Sequence, residues 1–170
     1  MSMRDDLNSR SPDITWPPDF QPRHADYFSH NTVLIAATPA RVWENFIAAS
    51  RWPEWYPNCK KLTIGGDHAV NLSMGAEFTW TTFAMNVVGT VVEFESERRV
   101  SWLGYGADSE PTFYHAWLFD PQDGGCRATY DEVGMGAVAV RMRAQDEDEM
   151  HRGHEFMLAG LRWLSETPRP

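Results

Sequence analysis

One histidine in this chain stands where proton chemistry would need it. His115 alternates with Trp117 and Phe119 in the run 112–120, so the three share one face of a strand. The segment Pro121-Gln-Asp-Gly-Gly125 reads as a hairpin turn. If Pro121 pairs with Cys126 across it, His115 falls opposite Glu132 and Trp117 opposite Tyr130. A histidine and a glutamate held together among aromatic rings shift each other's pKa and suit general acid/base work. The same pair also suits a purely structural role. A slip of one residue would instead bring Asp131 opposite Trp117.

The last helix offers a second polar candidate. Met150, His154, Met157, Leu161 and Leu164 recur at intervals of four, three, four and three, which is one apolar stripe. His154 therefore faces the sheet, either as a polar anchor for a ligand or bonded to a backbone carbonyl. His151 lies three residues away, but no HExxH, Cys–His cluster or paired-carboxylate motif accompanies it, so no metal or other cofactor is expected. Nucleophilic catalysis has no GxSxG, and neither Cys59 nor Cys126 has a base nearby in sequence. Gly65-Gly66 and Gly124-Gly125 are turns rather than phosphate loops. Trp80, Trp102 and Trp117 fall in three different strands. If they point inward they make an aromatic wall for a flat ligand; plain core packing is the alternative.

The elements that position these residues follow from turn signals and periodicity. Residues 1–24, with Pro12, Pro17, Pro18 and Pro22, read as an extended lead-in, and 25–170 as a single domain. Strand patterns are expected at 27–37, 60–65, 76–83, 85–94, 99–106, 112–120 and 127–136. Their separators include Gly65-Gly66-Asp67 and Asp108-Ser109-Glu110-Pro111. Thr38 and Pro39 form a helix start, and Pro53 and Pro57 bracket a short second helix with Trp52, Trp55 and Tyr56. The closing helix spans about 146–166, its acidic first turns suiting the positive end of the helix dipole. Phe156 and Trp163 lie on its back; Ile14, Trp16 and Phe20 of the lead-in, or a second subunit, are expected to cover them.

Composition narrows the function classes. A chain of 170 residues with 42% hydrophobic residues fits one domain with a real core. The net charge of −9 argues against nucleic acid as a partner, since that affinity rests on Lys and Arg. No run approaches the ~20 apolar residues of a membrane span. Two cysteines without CxxC, and no apolar signal region at the N-terminus, make a cytoplasmic location the default.

The words Val33-x-Ile35, Thr38-Pro39-Ala-Arg-Val42-Trp43, Trp52-Pro-Glu-Trp55-Tyr-Pro57, Gly75-x-x-Phe78-x-Trp80, Val91-x-Glu93 and Tyr114-His-Ala-Trp117-x-Phe119, then the terminal helix, occur in this order over about 25–167. In that order they resemble the START-like superfamily, also called SRPBCC, and within it the polyketide cyclase/dehydrase and lipid-transport group. The resemblance implies an α+β helix-grip fold: a curved antiparallel sheet of six or seven strands wrapped around a long C-terminal helix, with two short helices after the first strand. It also implies a cavity for a small hydrophobic or aromatic ligand such as a lipid or polyketide. Here that cavity would be lined by Phe78, Trp80, Trp102, His115, Trp117, Tyr130, His154, Met157 and Leu161, with Trp55 and Tyr56 at its mouth. Two alternatives accompany ligand binding. One is a cyclase or dehydratase using His115 and Glu132; the other is a co-chaperone-like interaction module. The chain is expected to be a monomer or homodimer.

Overall fold

Thr38 and Pro39 act as their types require. In the computed structural model, which describes residues 2–65, 69–105 and 112–168, Thr38 Oγ1 accepts the Arg41 N–H at 3.3 Å and Pro39 opens a helix. That helix, α2 (Pro39–Ile47), follows strand β1 (Tyr27–Ile35) and buries Val42, Trp43 and Phe46. A short helix α3 (Trp52–Trp55) comes next, tied to α2 by the Trp52 indole N–H donating to Phe46 O at 2.7 Å. Together they close one end of a seven-stranded antiparallel sheet.

The other strands are β2 (Lys60–Ile64), β3 (Glu77–Thr82), β4 (Met85–Glu95), β5 (Arg99–Tyr105), β6 (Phe113–Gln122) and β7 (Gly125–Gly134). They run as hairpins, and β1 returns to pair with β7, giving the order β1-β7-β6-β5-β4-β3-β2. The turns expected at 66–67 and 108–111, and Gly106 of the fifth expected strand, lie outside the described residues. Pairing of β4 with β5 shifts between Val91 and Glu93, a bulge that bends the sheet.

The closing helix, α5 (Glu149–Glu166), begins later than its acidic residues suggested. It lies in the sheet's concave face beside β1, with Met157, Leu158 and Leu161 in the main core. Residues of β1 tie down its length: Asn31 Nδ2 donates to His151 O at 3.1 Å, and Tyr27 Oη accepts the Met150 N–H at 3.0 Å. A helix that the sequence reading missed, α4 (Gly136–Gln145), precedes it and buries Ala139 and Met142.

The N-terminal segment is not simply extended. Helix α1 (Met3–Ser9) starts with a capping box in which Ser2 and Asp5 bond each other's backbone. The segment packs on the convex face, where Met3, Ile14 and Phe20 meet Phe28, Tyr114, Leu118 and Val133. Two histidine–carboxylate contacts fasten it. His151 Nδ1 lies 3.0 Å from Asp6 Oδ2, and Asp131, 2.5 Å from His30 Nδ1, accepts the Ser11 N–H. Burial pushes both carboxyl groups above their ordinary pKa. The expectation that this segment covers the back of α5 is therefore corrected: Phe156 and Trp163 remain 61% and 65% exposed. The segment's apolar residues are taken up by Phe28, Tyr114, Leu118 and Val133 on the convex side of the sheet instead.

Candidate functional site

The β6–β7 hairpin has the register that places the candidate pair. Pro121 stands opposite Cys126, His115 opposite Glu132, and Trp117 opposite Tyr130. The one-residue slip is excluded, because Asp131 points to the convex face and bonds His30 and Ser11 there.

Three donors converge on one oxygen of Glu132. His115 Nδ1 lies 2.8 Å from Oε2, His154 Nε2 2.9 Å, and the Tyr130 O–H donates to the same atom at 2.8 Å. His115 Nδ1 also lies 2.7 Å from Tyr130 Oη, and His154 Nδ1 lies 2.7 Å from Ser29 Oγ. All five residues are buried. Burial alone would raise the Glu132 pKa, but the two imidazoles override it and hold the carboxyl well below its ordinary range. Burial also lowers the His154 pKa against the pull of Glu132. A neutral His154 fits its partners: Nε2–H donates to the carboxylate and Nδ1 accepts the Ser29 hydroxyl. Burial raises the Tyr130 phenol well above its ordinary value, so it stays a donor.

His115 is different at its far nitrogen. With Nδ1 turned to Glu132, Nε2 is the ring nitrogen left over; it accepts a hydrogen bond when the ring is neutral and donates one when the ring is protonated. That atom is buried and has no partner among the described residues. It is aimed across the sheet at Gly104, where a Cβ would sit only 2.8 Å from it. Trp102 stacks on the ring at 4.9 Å and 19°.

Beside His115 a small space remains, bordered by Tyr56, Trp80, Phe83, Met85, Phe113, Tyr130, Glu132 and Met142 among others. About 20 Å³ is open to the centre of a water-sized molecule, room for about one water. Trp55, Phe78, Trp102, Trp117, Met157 and Leu161 are buried in the main core, and neither they nor His154 borders this space. Phe46 packs 4.4 Å from Trp117, and Tyr130 4.2 Å from it. Of the eleven positions proposed from sequence, Tyr56, Trp80, His115 and Tyr130 border the space, and Glu132 joins them from the acid/base pair. Phe83, Met85, Phe113 and Met142 border it too and were not singled out. Phe113 shares the face of His115 by strand alternation, which could have revealed it; Met142 belongs to the unexpected α4.

The arrangement can hold a proton acceptor, His115 Nε2, in a water-poor space, backed by a carboxylate that would stabilise the imidazolium. That is the wiring of a general base. No group of three or more His, Cys, Asp or Glu suited to a metal ion occurs among the described residues. No described helix is long and apolar enough to cross a membrane.

Known structures share the fold. The chain is similar to the hypothetical protein jhp0584 from Helicobacter pylori, with 26% identity and a TM-score of 0.83 over 92% of this chain and 98% of that one. It is similar in fold to the di-domain ARO/CYC BexL from the BE-7585A biosynthetic pathway, at 16% identity and a TM-score of 0.65, covering 85% of this chain and 51% of that one. The Aha1 dimer from Colwellia psychrerythraea shares the fold at 12% identity and a TM-score of 0.61, over 84% and 98% of the two chains. No curated protein matches the sequence. Residues 29–161, most of the domain, match the family described as polyketide cyclase / dehydrase and lipid transport, so the chain belongs to that family, a branch of the SRPBCC superfamily.

Proposed function

We propose that this protein binds a small, uncharged, largely apolar ligand in the space beside His115, with Nε2 as its hydrogen-bonding anchor. One observation carries the reading: His115, whose buried Nε2 has no partner among the described residues, borders a space walled by aromatic and methionine side chains. A buried polar atom left unpaired is costly, and binding sites are where such atoms are kept. The anionic Glu132 disfavours carboxylate or phosphate ligands, and no Lys or Arg borders the space. The ligand displaces the single water that fits there and widens the space by moving Phe83, Met85 and Met142; methionine yields easily. Two free, buried thiols, Cys59 and Cys126, fit a reducing compartment such as the cytoplasm.

A second reading rests on the Glu132–His115 pair. The same ligand, if it carries an acidic C–H beside a carbonyl, could lose that proton to Nε2, as a cyclase or dehydratase requires. The interaction-module reading has the exposed Phe156 and Trp163 in its favour, but it gives the buried His–Glu–His array no task. Native mass spectrometry of the purified protein tests the first reading. A bound small molecule is expected, released on unfolding and depleted in His115→Leu. Protein that is empty, and that takes up no member of a panel of neutral aromatic alcohols, overturns it.

A further inference from the structure

Between β3 and β4 the chain turns through two residues, Phe83 and Ala84, with Thr82 paired to Met85. Both have positive φ, 47° and 59°. A two-residue turn of this kind normally uses Asn, Asp or Gly, because side chains crowd the backbone in the left-handed region. A bulky aromatic there is an outlier, and such strain persists only where the surroundings hold it. Here they do. The Phe83 N–H donates to Asn58 Oδ1 at 3.2 Å. The ring sits in a notch on α5 where Gly153 has no side chain; a Cβ there would lie 2.3 Å from the ring's tip. Its centroid is 6.4 Å from that of His154.

Phe83 also borders two spaces. On the inside is the small space beside His115. On the outside is a surface hollow of about 310 Å³, bordered by Pro57, Asn58, Glu149, Arg152, Gly153 and Phe156. Phe83 is the one residue common to both borders. We infer that the outer hollow is a vestibule for the ligand, and that Phe83 is the gate between it and the His115 site. Swinging the ring out of the Gly153 notch joins the two spaces. The vestibule gives Phe156, otherwise an exposed aromatic without a task, the role of an apolar wall on which a flat ligand first rests. The width left by the displaced ring then sets which ligands pass. This inference rests on the ligand-binding reading above for its purpose, though not for its test.

The test uses the full chain and diethylpyrocarbonate, a small electrophile that modifies unprotonated imidazole nitrogen, with each histidine followed by peptide mass mapping. His115 should be slow to react in the parent protein. Phe83→Ala opens the gate, and Gly153→Ala pushes the intact ring out of its notch. Both should speed modification of His115 at least tenfold. His154, bonded at both nitrogens, is the internal control and should not change. Unchanged His115 reactivity in both variants overturns the gate. So does equal acceleration at His154, which would report general loosening. Adding the neutral dye N-phenyl-1-naphthylamine separates the two ideas. Protection of His115 by the dye supports both. Accelerated modification that the dye does not slow leaves the gate standing and counts against the ligand reading alone.

Discussion

Glu132→Gln isolates the charge at the centre of the buried array while keeping its shape. Three hydrogen bonds end on Oε2, from His115, His154 and Tyr130, all between 2.8 and 2.9 Å. A bond to a charged acceptor contributes about 1.5–3 kcal/mol, against about 0.5–1.5 for a neutral one. Loss of the charge therefore costs roughly 1 kcal/mol per bond, about 3 kcal/mol in all, at the lower edge of what removing one member of a buried ion pair costs. For a chain of this size that corresponds to a drop in Tm of roughly 6–12 °C. Urea unfolding at pH 7, followed by tryptophan emission, measures it. A double-mutant cycle with Tyr130→Phe locates the effect. Removing the phenol should cost about 1 kcal/mol less when residue 132 is already neutral, since groups in one network do not add. A Glu132→Gln variant as stable as the parent, or strict additivity with Tyr130→Phe, would refute the view that the carboxylate is ionised and organises its three donors.

Other perturbations reach other parts of the fold. Trp117→Ala, at a fully buried ring packed on Phe46 and Tyr130, should destabilise by about 3–5 kcal/mol in the same urea assay. Stability of the parent protein should fall as pH drops below about 6.5. The sign follows from His154: its folded pKa is lowered, so the unfolded chain takes up a proton that the folded chain refuses. Glu132, lowered as well, adds a loss in the same direction below 4.5, its ordinary value. The raised carboxyl groups of Asp6 and Asp131 act in the opposite sense, so the test is made with both replaced by Asn; a flat profile between pH 7 and 4 in that variant, measured by Tm, would contradict both shifts. Deleting residues 1–24 bares Phe28, Tyr114 and Leu118 on the convex face, and should lower Tm and raise the apparent size on gel filtration.

Much of this arrangement was legible because strands alternate and hairpins fix register. The turn at Gln122–Gly125 was enough to set His115 against Glu132, and the stripe from Met150 was enough to aim His154 inward. That the two histidines meet on one carboxylate was not legible, because it depends on how far α5 slides along the sheet. Alternation names the faces but not the volume between them, so Trp102 and Trp117 suggested the wall of a roomy cavity, whereas they pack against Phe46 and Tyr130 and only Trp80 borders the small space. Helix α4 has no broad apolar stripe and carries Val138 and Val140, which weaken a helix signal. Helix α1 did have a signal in Ser2 and Asp5, outweighed by the prolines that follow. The turn at Phe83–Ala84 has none of the usual turn residues, so its strain shows only in the backbone angles.

The clasp between Asp6 and His151 joins residues 145 apart in the chain. At ribosomal rates of about 5–20 residues per second, roughly 7–30 s separate the synthesis of the two. For that interval α1 exists without its anchor, and the convex-face residues of β6 and β7 that it will shelter are themselves among the later products. The earliest segment made is among the last fully secured, and a nascent chain stalled before α5 would present the concave, aromatic face of its sheet without the helix that covers it, a natural target for a chaperone at the exit tunnel.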